Sequence, residues 1–448
     1  MINQGRIRLL KEGVEKKGPV IYWMSRDQRV EYNWALLFAY LQSIQRNTSL
    51  IVIFCLVKDF LNASKRAYYF MLEGLKEVEE ELNERNIDFV LSTGNPPETI
   101  VSFINTIKAS ILVTDFDPLK IKRQWKMKVK EEIKIPFYEV DTHNIVPCWI
   151  ASQKQEYGAY TIRKKINRYL KSHLDSFAPI KKMHNKRIYD RNIHWESLYD
   201  KLGITKEKVF FRPGLKKAKN VLKEFIENKI SFYNLYRNDP SQNFQSNLSP
   251  YIHFGQISTQ YIAMTIMSKN TINEGVNAFL EELIIRKELS DNFCFYNDEY
   301  DTIKGLPKWG LNTLIKHSKD KREYVYNEET FENGQTHDDL WNSAQKELVL
   351  KGKMHGFMRM YWAKKILQWT ESPEDAIKIA IKLNDKYSLD GRDSKGYTGI
   401  LWSIGGLHDR AFQERPIFGK VRYMSHEGCK KKFDVKGYIL QSMKETKF

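Results

Sequence analysis

Between His337 and Gly406 the chain places four of its ten tryptophans, Trp341, Trp362, Trp369 and Trp402, among closely spaced Arg, Asp and Asn residues. Seven residues make close to two helical turns, so Trp362 and Trp369 fall on one helical face about 10 Å apart along the axis. Indoles at that separation can hand an electron along, although packing is the commoner use of such a pair. Arg359 precedes Trp362 by three residues on the same face, and Asp390, Arg392 and Asp393 sit in a Gly-containing loop after a helix. An Arg meeting an Asp across two helices, beside an aromatic wall, suits a flat heteroaromatic cofactor. With Asn384 and Trp402 near in sequence, the stretch reads as a cofactor pocket.

Other stretches carry candidate chemistry. SNLSPYIHFGQIS (246–258) reads as a helix start, with Ser249 as the N-cap and Pro250 at the first helical position. The free amides there, beside the Asn247 amide and the Ser249 hydroxyl, either cap the helix or bind phosphate. FLEELIIRKELSDNFCFYN (279–297) reads as an amphipathic helix in which Glu282 and Arg286, four apart, form a solvated ion pair. The alternative puts Glu282 in a pocket, where desolvation would keep its carboxyl protonated and able to donate a hydrogen bond. In the tail, Lys420, Arg422, Lys430, Lys431 and Lys432 make either a solvated face or a phosphate-binding surface.

Positioning these groups needs a scaffold, and the hydrophobic pattern supplies two kinds. PVIYWM (19–24), LIVIFCLV (50–57), DFVLS (88–92), ILVTDFD (111–117) and FYEVD (137–141) read as strands alternating with helices such as RAYYFMLEGLKEVEEELNER. That alternation predicts a parallel, doubly wound, Rossmann-like α/β domain over 1–165, with ligands beyond the strand ends at SRDQR and TDFDPLK. No GxGxxG follows the first strand. Arg26, Asp27 and Arg29 are loop charges in water or part of a pocket rim. A Lys- and His-rich stretch with little periodicity marks a linker over 166–215. Beyond it strands nearly vanish, and 216–448 is expected to be all-helical.

A length of 448 residues favours two domains, and 42% hydrophobic and 13% aromatic residues are enough to build them. The 72 Lys+Arg against 55 Asp+Glu give +17, which favours a polyanion such as nucleic acid. Cys55, Cys148, Cys294 and Cys429 are scattered without ligand spacing, so no disulfide framework, zinc site or other metal is expected. No signal-length apolar core or membrane-spanning run is apparent, which fits an intracellular protein with no membrane partner.

Several motifs, in one order, carry a resemblance. SRDQR, VPCWIASQKQEYGAYTIRKKI, NLSPYIHFGQIS, EELIIRKELSDNF, HDDLWNSAQKE, GKMHGFMRMYWAKKILQW, LDGRDSKGY and RYMSHEGCKKKFDVKGYI resemble the class II cyclobutane pyrimidine dimer photolyases, from about Ile7 to Ile439. The resemblance implies light-driven splitting of pyrimidine dimers in UV-damaged DNA by reduced FAD. It also implies that the first domain can hold an antenna chromophore, whose identity the residues do not give, and the chain is expected to act as a monomer with access to DNA.

By the same resemblance Arg359 and Asp390 flank the flavin ring, with Arg392 and Asp393 in the same loop, and Asn384 lies near its N5. The segment Asn247, Leu248, Ser249 grips the phosphates, and Tyr233 contacts the flavin. Trp362, Trp341 and Trp369 form, from proximal to distal, the chain that reduces it. Glu282 is implied to bond the dimer's carbonyl groups, Arg237 to face the lesion and Trp402 to pack on its bases. Phe412 and Arg422 are implied to fill the gap left in flipped DNA. The chain departs from the family at Tyr32, where an acidic residue is usual, at Arg286, where some relatives have an aromatic, and at Phe412, where relatives can have Trp. The rivals are a cryptochrome-like photoreceptor without repair, a basic nucleic-acid-binding helical protein without cofactor, and (6-4) repair, which relies on pocket histidines not found at the matched positions.

Overall fold

The computed structural model describes residues 2–14, 16–184, 187–189, 193–204, 209–269 and 273–444; positions 185–186, 190–192 and 205–208 of the expected linker lie outside them. Six strands form one sheet: β1 (Ile7–Lys11), β2 (Val20–Met24), β3 (Leu50–Leu56), β4 (Asp88–Thr93), β5 (Ile111–Asp115) and β6 (Phe137–Val140), in the order β1-β6-β5-β2-β3-β4. From β6 to β4 every pairing is parallel, with α1 (Trp34–Gln45), α2 (Lys65–Glu84), α3 (Pro96–Ile107) and α4 (Lys120–Glu132) among the connections. β2 and β3 are buried at every position because helices cover both faces of the sheet. Val20, Tyr22 and Met24 pack to one side of β2, Ile21 and Trp23 to the other.

The edge strand β1 is an addition to the sequence reading, and it pairs antiparallel to β6. Its residues RLLK mix charge and apolar groups because an edge strand is half wet; Leu9 is 48% exposed while Arg8 stacks 4.0 Å from the Trp149 ring.

Helices make up the rest. They include α5 (Ala159–His173), α6 (Leu215–Asn228), α7 (Ser249–His253), α8 (Thr259–Met267), α9 (Lys287–Tyr296), α10 (Lys308–Lys316), α11 (Asp339–Lys351), α12 (Gly356–Trp369), α13 (Pro373–Tyr387), α14 (Ser394–Gly405) and α15 (Val435–Lys444). Within the 166–215 stretch Ile180, Met183, Trp195 and Tyr199 are buried with residues of α2, and the Trp195 indole N–H donates to Glu79 at 2.7 Å.

The sheet and the helices meet along a seam of buried charge. Arg26 donates to both Asp291 oxygens at 2.8 and 2.9 Å and lies 3.5 Å from Asp393. Arg29 reaches Asp27 at 2.6 Å and the Gly255 carbonyl at 2.8 Å. Glu288 accepts from the Ile145 amide at 2.7 Å, and the Lys287 ammonium donates to Asn144 Oδ1 at 2.9 Å. Arg26, Asp27 and Arg29 are therefore not loop charges in water. Asp115 shapes their turn by accepting from the amides of Ser25, Arg26 and Asp27. Removing one partner of such a buried pair costs about 3–5 kcal/mol, because the other charge stays buried.

Candidate functional site

Three tryptophans lie in a buried series between α11 and α12. Trp341 and Trp362 are stacked at 5° with ring centres 6.3 Å apart, and Trp341 meets Trp369 edge-on at 6.2 Å. Their indole N–H groups are fixed, Trp341 donating to the Trp362 carbonyl at 3.0 Å and Trp362 to Gln345 at 2.9 Å. Trp362 and Trp369 share α12, but the contact between them runs through Trp341 rather than directly along the helix face. Exposures of 0%, 3% and 2% for Trp341, Trp362 and Trp369 keep the whole series dry.

On α12, one turn from Trp362, Arg359 donates to Asp390 at 2.5 Å and to the Ser388 hydroxyl at 3.0 Å. Burial alone would raise the Asp390 carboxyl, but Arg359 pulls it well below the usual carboxylate range. Two residues that sequence reasoning missed stand beside this pair. Lys353, lowered to about 8 by burial, donates to Asn247 at 2.7 Å. His355 caps α12 by accepting from the Phe357 amide at 3.1 Å. Both lie in GKMHGFMRMYW, where only Arg359 and Trp362 stand at a spacing that signals a site.

Asn247 adopts a left-handed backbone at φ 57°, so α7 begins at Ser249, with Leu248 in the N-cap position. Ser249 is thus the first helical residue rather than the cap, and Pro250 is the second. With no capping duty, the Ser249 hydroxyl is buried without a well-formed hydrogen bond, close enough to Asp390 to help hold that carboxyl down. Buried polar atoms rarely stay unpaired, so this hydroxyl, beside the Lys353 ammonium and the Arg359 guanidinium, fits an anionic ligand.

Asn384 is buried near the end of α13, its amide donating to Asp385 at 3.1 Å. Gly396 lets it sit there: a Cβ at that position would lie 2.8 Å from the Asn384 amide nitrogen. The neighbouring loop residues serve the scaffold. Arg392 directs its guanidinium at the carbonyls of Asp385, Ser388 and Leu389, satisfying the end of α13. Asp393 caps α14 through the Lys395 amide at 3.0 Å and faces His253 and Arg26, each at 3.5 Å. In this structure Arg392 and Asp393 bond to backbone and seam, not to the Arg359–Asp390 pair.

A second cluster gathers Tyr233, Arg237 and Glu282. Arg237 donates to Glu282 at 2.9 Å and lies 5.5 Å over the Tyr233 ring. The Tyr233 phenol is pushed up to about 12 by burial and by the Glu282 charge. Glu282 is 31% exposed and ion-paired, not isolated in an apolar wall, and its partner is Arg237 rather than Arg286. The reason is local. Residues Glu281–Arg286 form a π-helical turn, whose wider i to i+5 repeat brings Arg286 to Glu281 at 3.4 Å. Gln245 ties the two clusters together, donating to the Arg237 carbonyl at 2.9 Å and lying 3.1 Å from His355 Nε2.

Trp402 on α14 is partly buried at the edge of the core that holds the tryptophan series. Phe412 sits in a tight hairpin closed by the Arg415–Gly419 bridge, with the Arg422 guanidinium 4.9 Å over its ring. Lys420, Arg422, Lys430, Lys431 and Lys432 are exposed, as a phosphate-facing surface requires. A separate cavity opens beyond the carboxyl ends of β2, β3 and β5. Ser25, Arg26, Phe54, Asp117, Lys122 and Phe254 are among its walls, where doubly wound sheets hold ligands. Among the described residues no cluster of metal-ligating side chains forms, and no helix is long and apolar enough to cross a membrane.

An α/β sheet docked on a helical body, with a buried indole series beside a charged cleft, defines a photolyase-like fold. The chain superposes on an archaeal photolyase from Sulfolobus tokodaii, described with two FAD molecules and a novel light-harvesting cofactor, at a TM-score of 0.72 and 18% identity, over 94% of this chain and 89% of that one. Residues 20–184 match the DNA photolyase family model. The deoxyribodipyrimidine photo-lyase of Potorous tridactylus is 45% identical over 97% of this chain and 83% of its own length. That of Arabidopsis thaliana is 45% identical over 98% and 92%. The chain belongs to the DNA photolyase family.

Proposed function

We propose that the protein is a class II photolyase that binds FAD and splits cyclobutane pyrimidine dimers in UV-damaged DNA under near-UV or blue light. The observation that carries this reading is the dry series Trp369, Trp341, Trp362, two of whose members share α12 with Arg359, which reaches the cleft to meet Asp390. Arg359, Asp390, Asn384, Asn247, Leu248, Ser249 and Tyr233 would hold FAD, and Lys353 adds a cation beside them. When bound and reduced, FAD supplies the light-driven one-electron reductant.

The chain's own residues do the rest. Glu282 and Arg237 orient the flipped dimer, with Trp402 packing on its bases. Phe412 and Arg422 fill the gap in the duplex, and the basic tail holds phosphates, so extrusion of an already distorted step is offset by new contacts. The tryptophan series would give a path from the C-terminal end of α12 toward the cleft. Residues 1–165 make the antenna domain, with a light-harvesting chromophore in the cavity at the sheet's carboxyl edge, 166–215 the connection, and 216–448 the catalytic domain. The protein works as a monomer wherever the cell keeps its DNA.

The test mixes reduced protein with an oligothymidine containing one cyclobutane dimer and follows recovery of thymine absorbance in light and in the dark. Recovery in light alone is expected. Bound flavin without recovery would replace this reading with a cryptochrome-like photoreceptor.

A further inference from the structure

The hairpin that carries Phe412 is fastened to α10 by one histidine. His317, the residue that closes α10, directs Nδ1 at Asp320 Oδ2 at 2.6 Å and Nε2 at Glu414 Oε1 at 2.8 Å. Glu414 lies in the hairpin, two residues after Phe412. The same Asp320 oxygen accepts from the hairpin amide of Ile417 at 2.8 Å. Ile417 is a β-branched residue held at φ 68°, a conformation such residues avoid, so this amide contact fixes a strained turn. Thr313 adds a hydroxyl that accepts from the Lys420 amide at 2.9 Å, and Phe412 itself donates to the Lys420 carbonyl at 2.8 Å.

We propose that His317 is a positioning residue that locks the Phe412 hairpin in the conformation that enters damaged DNA, a role that rests on the photolyase reading above. A neutral imidazole has one N–H and one lone pair, so it can donate to only one of two carboxylates. With an acceptor oxygen at each ring nitrogen, only the imidazolium closes both arms; on losing its proton one nitrogen faces a carboxylate lone pair to lone pair. The charged groups around the ring are Asp320 on the following turn, Glu414 on the hairpin, Lys316 at 2.7 Å from Glu414, and Arg322 near Asp320. Hydrogen bonds donated by its ring to Glu414 and Asp320 raise His317 above the ordinary histidine value. A raised value means the lock is complete below the ordinary histidine range and is lost as pH rises through the raised one.

The experiment uses the full-length, FAD-loaded protein in the dark, as wild type, His317→Gln and Glu414→Gln. Affinity for a dimer-containing duplex is measured from about pH 6 to pH 9, with hydrogen exchange of the 412–421 amides followed in parallel. In the wild type, affinity should fall roughly tenfold across that range, while His317→Gln starts weak and stays flat. Glu414→Gln should lose part of the slope. Exchange of the Ile417 and Lys420 amides should quicken in both variants, and repair at saturating DNA should be unchanged, since only binding is affected. Wild-type affinity and slope in His317→Gln, or unchanged exchange, would overturn the proposal. A wild type that does not prefer damaged duplex sinks the photolyase reading instead, and the exchange data still judge the lock.

Discussion

The Trp341 indole lies parallel to that of Trp362, ring centres 6.3 Å apart, while its N–H donates to the Trp362 carbonyl at 3.0 Å. One residue thus bridges α11 and α12 and closes the gap between two tryptophans of α12. Replacing Trp341 by Phe keeps an aromatic filler but removes the indole and its hydrogen bond. Light-driven reduction of oxidised FAD, followed by bleaching of its visible band with an external thiol, should be nearly abolished. Repair by chemically pre-reduced protein should persist. Equal bleaching rates in variant and wild type would remove the series from the path.

The Arg359–Asp390 pair should decide cofactor retention. Arg359→Ala leaves the Asp390 carboxylate partly buried with Ser388 as its remaining close hydrogen-bond partner, a change costing about 3–5 kcal/mol. The purified variant should carry little flavin, read as the ratio of visible to protein absorbance. Arg359→Lys, which cannot place a planar fork on the carboxylate, should retain an intermediate amount.

Glu282→Ala should weaken binding of the dimer by about 1–3 kcal/mol and leave Arg237 without its 2.9 Å partner. Glu282→Gln, which keeps one acceptor, should lose less. Dark titration with a dimer-containing duplex measures both; identical affinities in all three proteins would put Glu282 outside the lesion site.

Gly396→Ala tests how Asn384 is placed. The new Cβ would press on the Asn384 amide, 2.8 Å away, and the amide is pinned by Asp385. Stability should fall by about 1–3 kcal/mol, as in overpacked cores. The flavin's spectrum and midpoint potential should shift with it, which a purely structural role for Asn384 would not produce.

The seam gives a pH signature. Burial would raise Asp291, but Arg26 and Lys287 pull it down to about 2. A depressed carboxylate contributes stability that is present above its unfolded value, about 3.9, and lost as pH falls through the folded one. The melting temperature of wild type should exceed that of Asp291→Asn at pH 6, and the two should converge between about pH 4 and pH 2. A constant difference across that window would contradict the assignment.

Much of this was readable from the chain. The five parallel strands announce themselves because strands covered on both faces need unbroken apolar runs, as Val20–Met24 and Leu50–Leu56 show. β1 did not, since an edge strand half in water carries Arg8 and Lys11 like any basic tail. Arg26 looked like a solvated charge because its partner Asp291 is 265 residues away, a distance over which spacing says nothing. The Glu282–Arg286 expectation assumed a 3.6-residue repeat, and the π-turn changed both partners. Arg392 shares a loop with Asp390, but the Asp385, Ser388 and Leu389 carbonyls claim its guanidinium. Lys353 and Gln245 went unnoticed because neither type, at those spacings, signals a ligand until the fold brings Asn247 and His355 beside them.

The seam also bears on which molecule would bend during a repair encounter. With Arg26, Asp291, Asp393, Lys287 and Glu288 interlocked and buried between sheet and helices, parting the two halves would strand several charges in a dry interface. Hinge opening between sheet and helices is therefore costly. On the proposed function, the sheet and helices would then meet DNA as one unit, and kinking and unpairing of the damaged nucleotides would fall largely to the duplex. Selection among sites would then follow how easily each step of DNA deforms, which disfavours an intact sequence.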